Sequence, residues 1–417
     1  MLPRISTVRA GSLPRDPRTP RKRQQRWAAA FVTVAAIAIA IVVMTSSHSH
    51  KWPEAVRPAT FVGDSTCLSC HGEKASFEGT AHRITTQSPS RATILGSFTS
   101  GENVLRNANS DLHFRMDADS TGFYQTAVFA HGADSTSRRE RIAIVAGSGR
   151  GGQSYLYWKG DRLYQLPVSY WSSNHRWINS PGPAYIEGQA NFARGVAPRC
   201  LECHATWIEA VPDLSHENTF QAQGAILGIT CERCHGEGKT HVATEQSPLH
   251  SLHSPQIVNP AHLTRERQME ACAQCHGGLG TPKIPSFTYV AGQRLDNYVD
   301  LPVPGPNETV DVHGNKVALL ERSRCFRESK MTCTTCHDVH RTQRDTTALS
   351  GRCLTCHQEQ SCGLFATRGR AAVAGRCVTC HMPEQSSNLI VSALEGEKKQ
   401  AQMRNHWIKV YPETANR

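Results

Sequence analysis

Strict alternation of apolar and polar positions is confined to one stretch of the chain. Residues 112–116, 123–130 and 141–146 alternate with a period of two and are rich in aromatic and β-branched side chains, so strands are expected there. Residues 154–158 and 163–168 flank Lys159-Gly160-Asp161, the pattern of a hairpin. Together these predict a β subdomain inserted over residues 100–175. Helical periodicity elsewhere is brief. Residues 74–82, 265–274 and 318–327 read as short helices, and the Pro- and Gly-rich residues 299–315 as a loop. The fold class expected is mainly α with low regular secondary structure, carrying that β insert. Tyr155, Tyr157, Trp158, Tyr164, Tyr170, Trp171 and Trp177 fall in or beside the predicted strands, where packing is the default role. The run from Gly147 to Gly152 lacks the Lys-Ser/Thr ending of a phosphate-cradling loop and reads as a flexible connector.

One run is apolar without any period. Of residues 28–44 only Thr33 is polar, a length at the short end for a transmembrane helix and slightly long for a signal-peptide core. The preceding residues 1–27 hold eight basic residues against Asp16. By the positive-inside rule that tail stays cytoplasmic and the rest of the chain is sent outward. A retained N-terminal transmembrane anchor is expected; cleavage near Thr45-Ser-Ser47 would leave a soluble protein instead. The organisation expected is a disordered basic tail (1–27), the anchor or signal (28–44), a linker (45–60), a first segment (61–99), the β insert (100–175) and a second segment (176–417). The net charge of +11 loses its meaning as a partner signal, because +7 of it sits in the tail. Charge gathered in a tail rather than on a folded face argues against nucleic acid.

The chemistry lies in a repeated pentapeptide. Cys67/Cys70/His71, Cys200/Cys203/His204, Cys231/Cys234/His235, Cys272/Cys275/His276, Cys333/Cys336/His337, Cys353/Cys356/His357 and Cys377/Cys380/His381 all read Cys-x-x-Cys-His. Fourteen of the sixteen cysteines are used this way. Zinc sites also pair cysteines, and redox motifs use single pairs, but neither requires histidine immediately after every pair. This is the attachment signature of c-type haem, with two thioethers to the porphyrin and the adjacent imidazole as proximal iron ligand. Seven covalent haems are expected, which makes this a multihaem cytochrome c. Their flat apolar faces also explain how a chain with only 39% hydrophobic residues can build a core. First-cysteine spacings after residue 200 are too irregular for a solenoid.

A haem that only passes electrons has both axial positions filled, whereas one that does chemistry keeps an open face. After the proximal seven and the membrane-side His48 and His50, twelve histidines remain. The distal candidates are His82, His175, His241, His262, His313, His340 and His406. His241 follows His235 by six residues, His340 follows His337 by three, and His406 lies near the C-terminus in Asn-His-Trp-Ile; each is held close to a haem site and is expected to reach a neighbouring iron rather than its own. His113 and His131 fall in the β insert and are expected at the surface; His216, His250 and His253 carry no local signal. Met382, directly after His381, is too close to its own proximal ligand. Cys325 and Cys362 are left over, and in an oxidising compartment they could pair.

Several of these residues resemble a known family. Phe61-Val-Gly-Asp-Ser-Thr-Cys-Leu-Ser-Cys-His71 followed by Gly79-Thr-Ala-His82 is similar to the first haem site of the cytochrome c-554 type. Gly228-Ile-Thr-Cys-Glu-Arg-Cys-His-Gly-Glu-Gly-Lys-Thr-His241, the segment from Ser323 to His340, and Cys380-His-Met-Pro with Asn405-His406-Trp-Ile resemble the same group. The resemblance covers residues 60–100 and 195–410, within the wider multihaem group of nitrite reductases and hydroxylamine oxidoreductases. It implies a mostly helical multihaem cytochrome c fold, haems in closely stacked pairs, and His82, His241, His340 and His406 as distal ligands. No motif here ends in Lys, no tyrosine is identifiable as a haem cross-link, and residues 358–376 hold no histidine. Seven motifs also exceed the four of the c-554 type.

The function expected is electron transfer on the periplasmic side of the cytoplasmic membrane. The partners are the membrane, a quinol-linked donor and a periplasmic acceptor. The alternatives are an oxidoreductase with one open haem acting on nitrite, hydroxylamine or a similar ligand, and a haem-bearing subunit of a respiratory complex.

Overall fold

The computed structural model describes residues 60–106, 108–182, 188–213, 215–247, 257–303, 305, 310, 313–394 and 397–414. In chain order the helices are α1 (Asp64–Cys70), α2 (Pro198–Glu202), α3 (Cys231–His235), α4 (Lys239–Glu245), α5 (Arg265–His276), α6 (Lys316–Glu321), α7 (Arg324–Arg327), α8 (Thr346–Cys353), α9 (Gly363–Arg368) and α10 (Cys377–His381). The strands are β1 (Thr86–Gln87), β2 (Val104–Arg106), β3 (Leu112–Asp119), β4 (Gly122–His131), β5 (Asp134–Arg141), β6 (Ile144–Ala146), β7 (Gly152–Lys159), β8 (Arg162–Gln165), β9 (Val168–Trp171), β10 (Arg176–Asn179), β11 (Ala205–Ala210), β12 (Phe220–Leu227), β13 (Thr281–Pro282), β14 (Val299–Asp300), β15 (Glu384–Leu394) and β16 (Glu397–Arg404).

Two antiparallel sheets share one core. One runs β2-β3-β4-β5; the other runs β1-β6-β7-β9-β10, with β8 paired to β7. The first gives Leu112, Phe114, Met116 and Ala127 to the interior, and the second gives Val145, Tyr155, Tyr157, Val168, Tyr170, Trp177 and Ile178. The period-two alternation of β3 is what turns Leu112, Phe114 and Met116 to one side. Gln125, fully buried, ties the sheets together: its amide donates to the Val168 carbonyl at 2.7 Å and accepts from the Val168 N–H at 3.0 Å. Lys159-Gly160-Asp161 does connect the hairpin β7–β8, with Gly160 at φ 63°. The run from Gly147 to Gly152 is the turn between β6 and β7, and the Gly147 N–H donates to the Thr85 carbonyl. Tyr155, Tyr157, Tyr170 and Trp177 are core residues.

The opposite face of the second sheet presents Ile144, Leu156 and Leu163 to Leu201, Ile208 and Phe220, which seats the second motif against the strands. A third cluster, including Met269, Tyr289, Val299, Val317 and Phe326, surrounds α5.

The chain is therefore not mainly α. Helix accounts for 28% and strand for 26%, in antiparallel sheets. Strands beyond the expected stretch explain the difference. β11–β12 and β15–β16 carry register shifts, and a bulge breaks the alternation that would reveal a strand in sequence. The helix expected over residues 74–82 is instead a 3-10 helix, Gly72–Gly79, opened and closed by glycine, the residue that favours a helix interior least after proline. The helix expected over 265–274 is α5, and that over 318–327 is split into α6 and α7. No helix among the described residues is long and apolar enough to cross a membrane, and the transmembrane helix expected over residues 28–44 lies outside the described residues.

Candidate functional site

Most motifs fold as one local turn of helix. α1 ends on Cys70, α3 runs from Cys231 to His235, α5 ends on His276, and α10 runs from Cys377 to His381. One turn places the two cysteines and the following imidazole on a common side, which attachment to a single ring requires.

The structure brings four motif histidines within about 6 Å of a second histidine, two pairs with near-parallel rings, one tilted and one edge-on, each partner supplied from beside another motif. His71 stands 6.4 Å from His241 between ring centres, and His235 stands 6.1 Å from His340. His276 is 6.0 Å from His82, and His337 is 6.4 Å from His406. Metal–imidazole bonds of about 2 Å put two trans rings roughly 6 Å apart centre to centre. The four separations fit an iron between each pair.

Hydrogen bonding and burial fit the same role. His235 and His381 donate Nδ1–H to the carbonyls of Val258 and Lys409, each at 2.8 Å, and His406 does so to Arg404 at 3.1 Å. A carbonyl only accepts, so the Nε2 lone pair is left free to bind a metal. Nδ1 of His204 lies 3.0 Å from the Thr85 hydroxyl. Burial first, and then the Lys316 ammonium, hold His276 down to about 3 and His406 down to about 4. Burial likewise lowers His82, His204, His235, His337 and His340. These imidazoles are neutral at pH 7, the state that coordinates iron. A zinc site would need four ligands converging on one point. Among the described residues no group of three or more His, Cys, Asp or Glu is placed to hold a metal ion.

The cysteines are also neighbours across motifs. Cys67 interacts with Cys231, Cys203 with Cys275, Cys272 with Cys333, and Cys353 with Cys377. Cys234 is felt at Cys272 and Cys275, and Cys356 at Cys336. Each motif thus has a cysteine that interacts with a cysteine of another motif.

The residues between the cysteines make the joints, and sequence reading missed them. Glu232, inside the third motif, accepts the N–H groups of Val62, Gly63 and Gly238, each at 2.9 Å. Asp64, in α1, accepts the Cys231 N–H at 2.9 Å and the Arg83 guanidinium at 2.7 Å. The first and third motifs are thus stapled in both directions. Glu202, inside the second motif, accepts the Phe287 N–H at 2.8 Å and Arg199 at 2.9 Å. Arg199 in turn donates to the Gln274 carbonyl of the fourth motif at 2.7 Å. No signal in the sequence marked them, because their partners lie on distant segments.

The remaining candidates lie elsewhere. His175 closes the turn between β9 and β10 at φ 50°, and His262 ends an exposed 3-10 turn before α5; neither ring is stacked on a motif histidine. His313, exposed, acts electrostatically on His204. Among the described residues no second histidine ring stacks on His204, His357 or His381. His131 pairs with Asp111 at the surface of the β region, and His216 with Asp213. His48, His50, His250 and His253 lie outside the described residues. All sixteen cysteines are free, so the pairing of Cys325 with Cys362 is not formed; Cys325 is instead felt at Cys336 and Cys353, and Cys362 at Cys377.

No curated protein and no solved structure matches the chain. Residues 182–236 match the family model described as cytochrome c554 and c-prime, a span that holds the second and third motifs. That match supports a cytochrome c family for this chain, with covalently bound haem and a part in electron transfer.

Proposed function

We propose that the chain is a seven-haem electron-transfer cytochrome, membrane-anchored, with its haem-bearing body on the periplasmic side. The observation that carries this reading is the set of four imidazole pairs at iron-spanning distance, each joining one motif to the neighbourhood of another. Haem, when bound, supplies one-electron exchange between ferric and ferrous iron. At four of the seven motifs the chain's own residues would offer one imidazole to each side of a bound iron, and burial keeps most of these imidazoles neutral. A filled axial site excludes substrate from the iron, which favours a wire over an enzyme.

Electrostatic neighbours among the cysteines support an order in which the sites run first, third, fourth, fifth, sixth and seventh, with the second beside the fourth. The first site is nearest in sequence to the apolar run of residues 28–44, so a quinol-linked donor in the membrane would deliver electrons there. The sixth and seventh sites, at the other end of the order, would serve a periplasmic acceptor.

Purified protein, assayed for haem by the pyridine haemochrome method and by intact mass, is expected to carry seven covalent haems. EPR of the oxidised protein is expected to show low-spin ferric iron at four or more of the seven. A count below seven would refute the number, and fewer than four low-spin irons would refute the ligand pairs. A high-spin signal displaced by nitrite or hydroxylamine would move the reading to an oxidoreductase with an accessible iron.

A further inference from the structure

Three motifs meet on one buried charge cluster. Glu202 sits between Cys200 and Cys203, Arg233 between Cys231 and Cys234, and Gln274 between Cys272 and Cys275. Each is within two residues of a haem-attachment cysteine, so the cluster cannot lie far from any of the three rings. The side chains of Arg199, Glu202 and Arg233 are only 6%, 8% and 6% exposed. Glu202 Oε2 accepts from Arg199 at 2.9 Å, while Oε1 lies 3.5 Å from Arg233 and accepts from the Gln274 amide at 3.4 Å.

Within this trio the charges do not cancel; the nearest carboxylate in sequence, Glu232 beside Arg233, is taken up by three backbone N–H groups and pairs with neither arginine. Two guanidiniums share one carboxylate, and among the described residues neither makes a second ion pair. Arginine does not deprotonate in proteins, so the excess positive charge is permanent. Arg233 Nε is buried without a hydrogen-bond partner, and the ring of Phe287 lies 5.7 Å from its guanidinium. Uncompensated buried charge is costly and its field is little screened. Both guanidiniums are felt at the Cys275 thiol.

We propose that the Arg199–Glu202–Arg233 cluster raises the reduction potentials of the second, third and fourth haems, making the centre of the wire the place where electrons collect. The inference rests on the haem reading above. A ferrous haem carries one more negative charge than a ferric one, and a fixed buried cation beside it stabilises the reduced state. Arg199, Glu202 and Arg233 are positioning residues here: they touch the motifs, not the iron.

The test is a spectroelectrochemical titration of full-length holoprotein, run after haem content has been measured for each variant. Glu202→Gln removes the one negative charge while keeping shape, and it is expected to shift two or three of the seven midpoints upward. Arg233→Met removes a positive charge, and it is expected to shift members of the same group downward. Arg233→Lys keeps the charge and is expected to restore the wild-type midpoints. Opposite shifts in the first two variants are the signature of charge, because a merely structural disturbance would move both in one direction. Unmoved midpoints in Glu202→Gln at full haem content, or shifts of the same sign in both variants, would overturn the proposal. If Arg233→Met loses haem, Glu202→Gln decides alone. A wild-type haem count below seven would instead strike at the haem reading, so the two failures are distinguishable.

Discussion

The β region and the motif-bearing segments are held together by different means. In the β region, Phe114, Met116, Tyr155, Tyr157, Leu163 and Leu166 are all about fully buried by other side chains, and each such burial contributes about 1.5–3 kcal/mol. Around the first motif, α1 and the 3-10 turn after it bury no residue at all. From residue 327 to 381 the only buried apolar side chains among those described are Val373 and Val378. There the order comes from backbone hydrogen bonds to a few acids and from histidines facing one another. One region is a core that amino acids complete by themselves; around the first, sixth and seventh motifs that core is thin, and bound haem would supply the missing apolar surface.

The largest break in that contrast is removal of an attachment site. Cys231→Ala with Cys234→Ala is expected to cost one haem by mass and to disrupt the axial pairs of its neighbours, while the β region keeps its tryptophan fluorescence. Retention of the unaltered protein's full haem count would show that the third motif is not an attachment site. Next comes loss of a distal ligand: His406→Ala is expected to convert one low-spin iron to high-spin by EPR, at unchanged haem count. An unaltered spectrum would release His406 from the role its distance to His337 gives it.

Glu232→Ala attacks the staple. Its carboxylate satisfies three backbone N–H groups, so its loss is expected to destabilise the motif-bearing segment by about 3 kcal/mol, read as a lower denaturant midpoint for the haem band. Coincident, unshifted transitions would count against it. Gly96→Ala tests the other region. A Cβ there would overlap the buried Trp177 ring, and a cost of about 1–3 kcal/mol is expected in fluorescence-monitored unfolding with no change in the haem spectrum. A displaced haem spectrum would mean the two regions are energetically one.

The gentlest probe is pH. Burial first, and then Lys316, holds His276 down to about 3 and His406 down to about 4 in the fold, below the ordinary imidazole value of about 6.5. The unfolded chain therefore binds more protons between those limits, and stability is complete above about pH 6.5 and lost as pH falls toward 3. Low-spin absorbance is expected to hold from pH 8 to about 6 and decline below. A decline on raising the pH would contradict the sign.

What the sequence determined by itself is local chemistry. Cys-x-x-Cys-His points to covalent haem because five consecutive residues carry the whole pattern, and the strands over residues 112–130 were legible because a half-buried strand must alternate. The hairpin at Gly160 was legible for a similar reason: the turn demands a residue tolerant of positive φ. Tertiary structure alone decided the rest. β11–β12 and β15–β16 escaped because bulges interrupt their alternation, and a fold expected to be mainly α acquired nearly as much strand as helix. Which histidine faces which motif is a matter of residues up to 194 positions apart in sequence, His82 and His276, brought together by packing. Nor could sequence show that Glu202, Glu232 and Arg233 would be buried, because a charged residue's partners lie on other segments. Pattern specifies what a segment can do; only the closed chain specifies what it does it with.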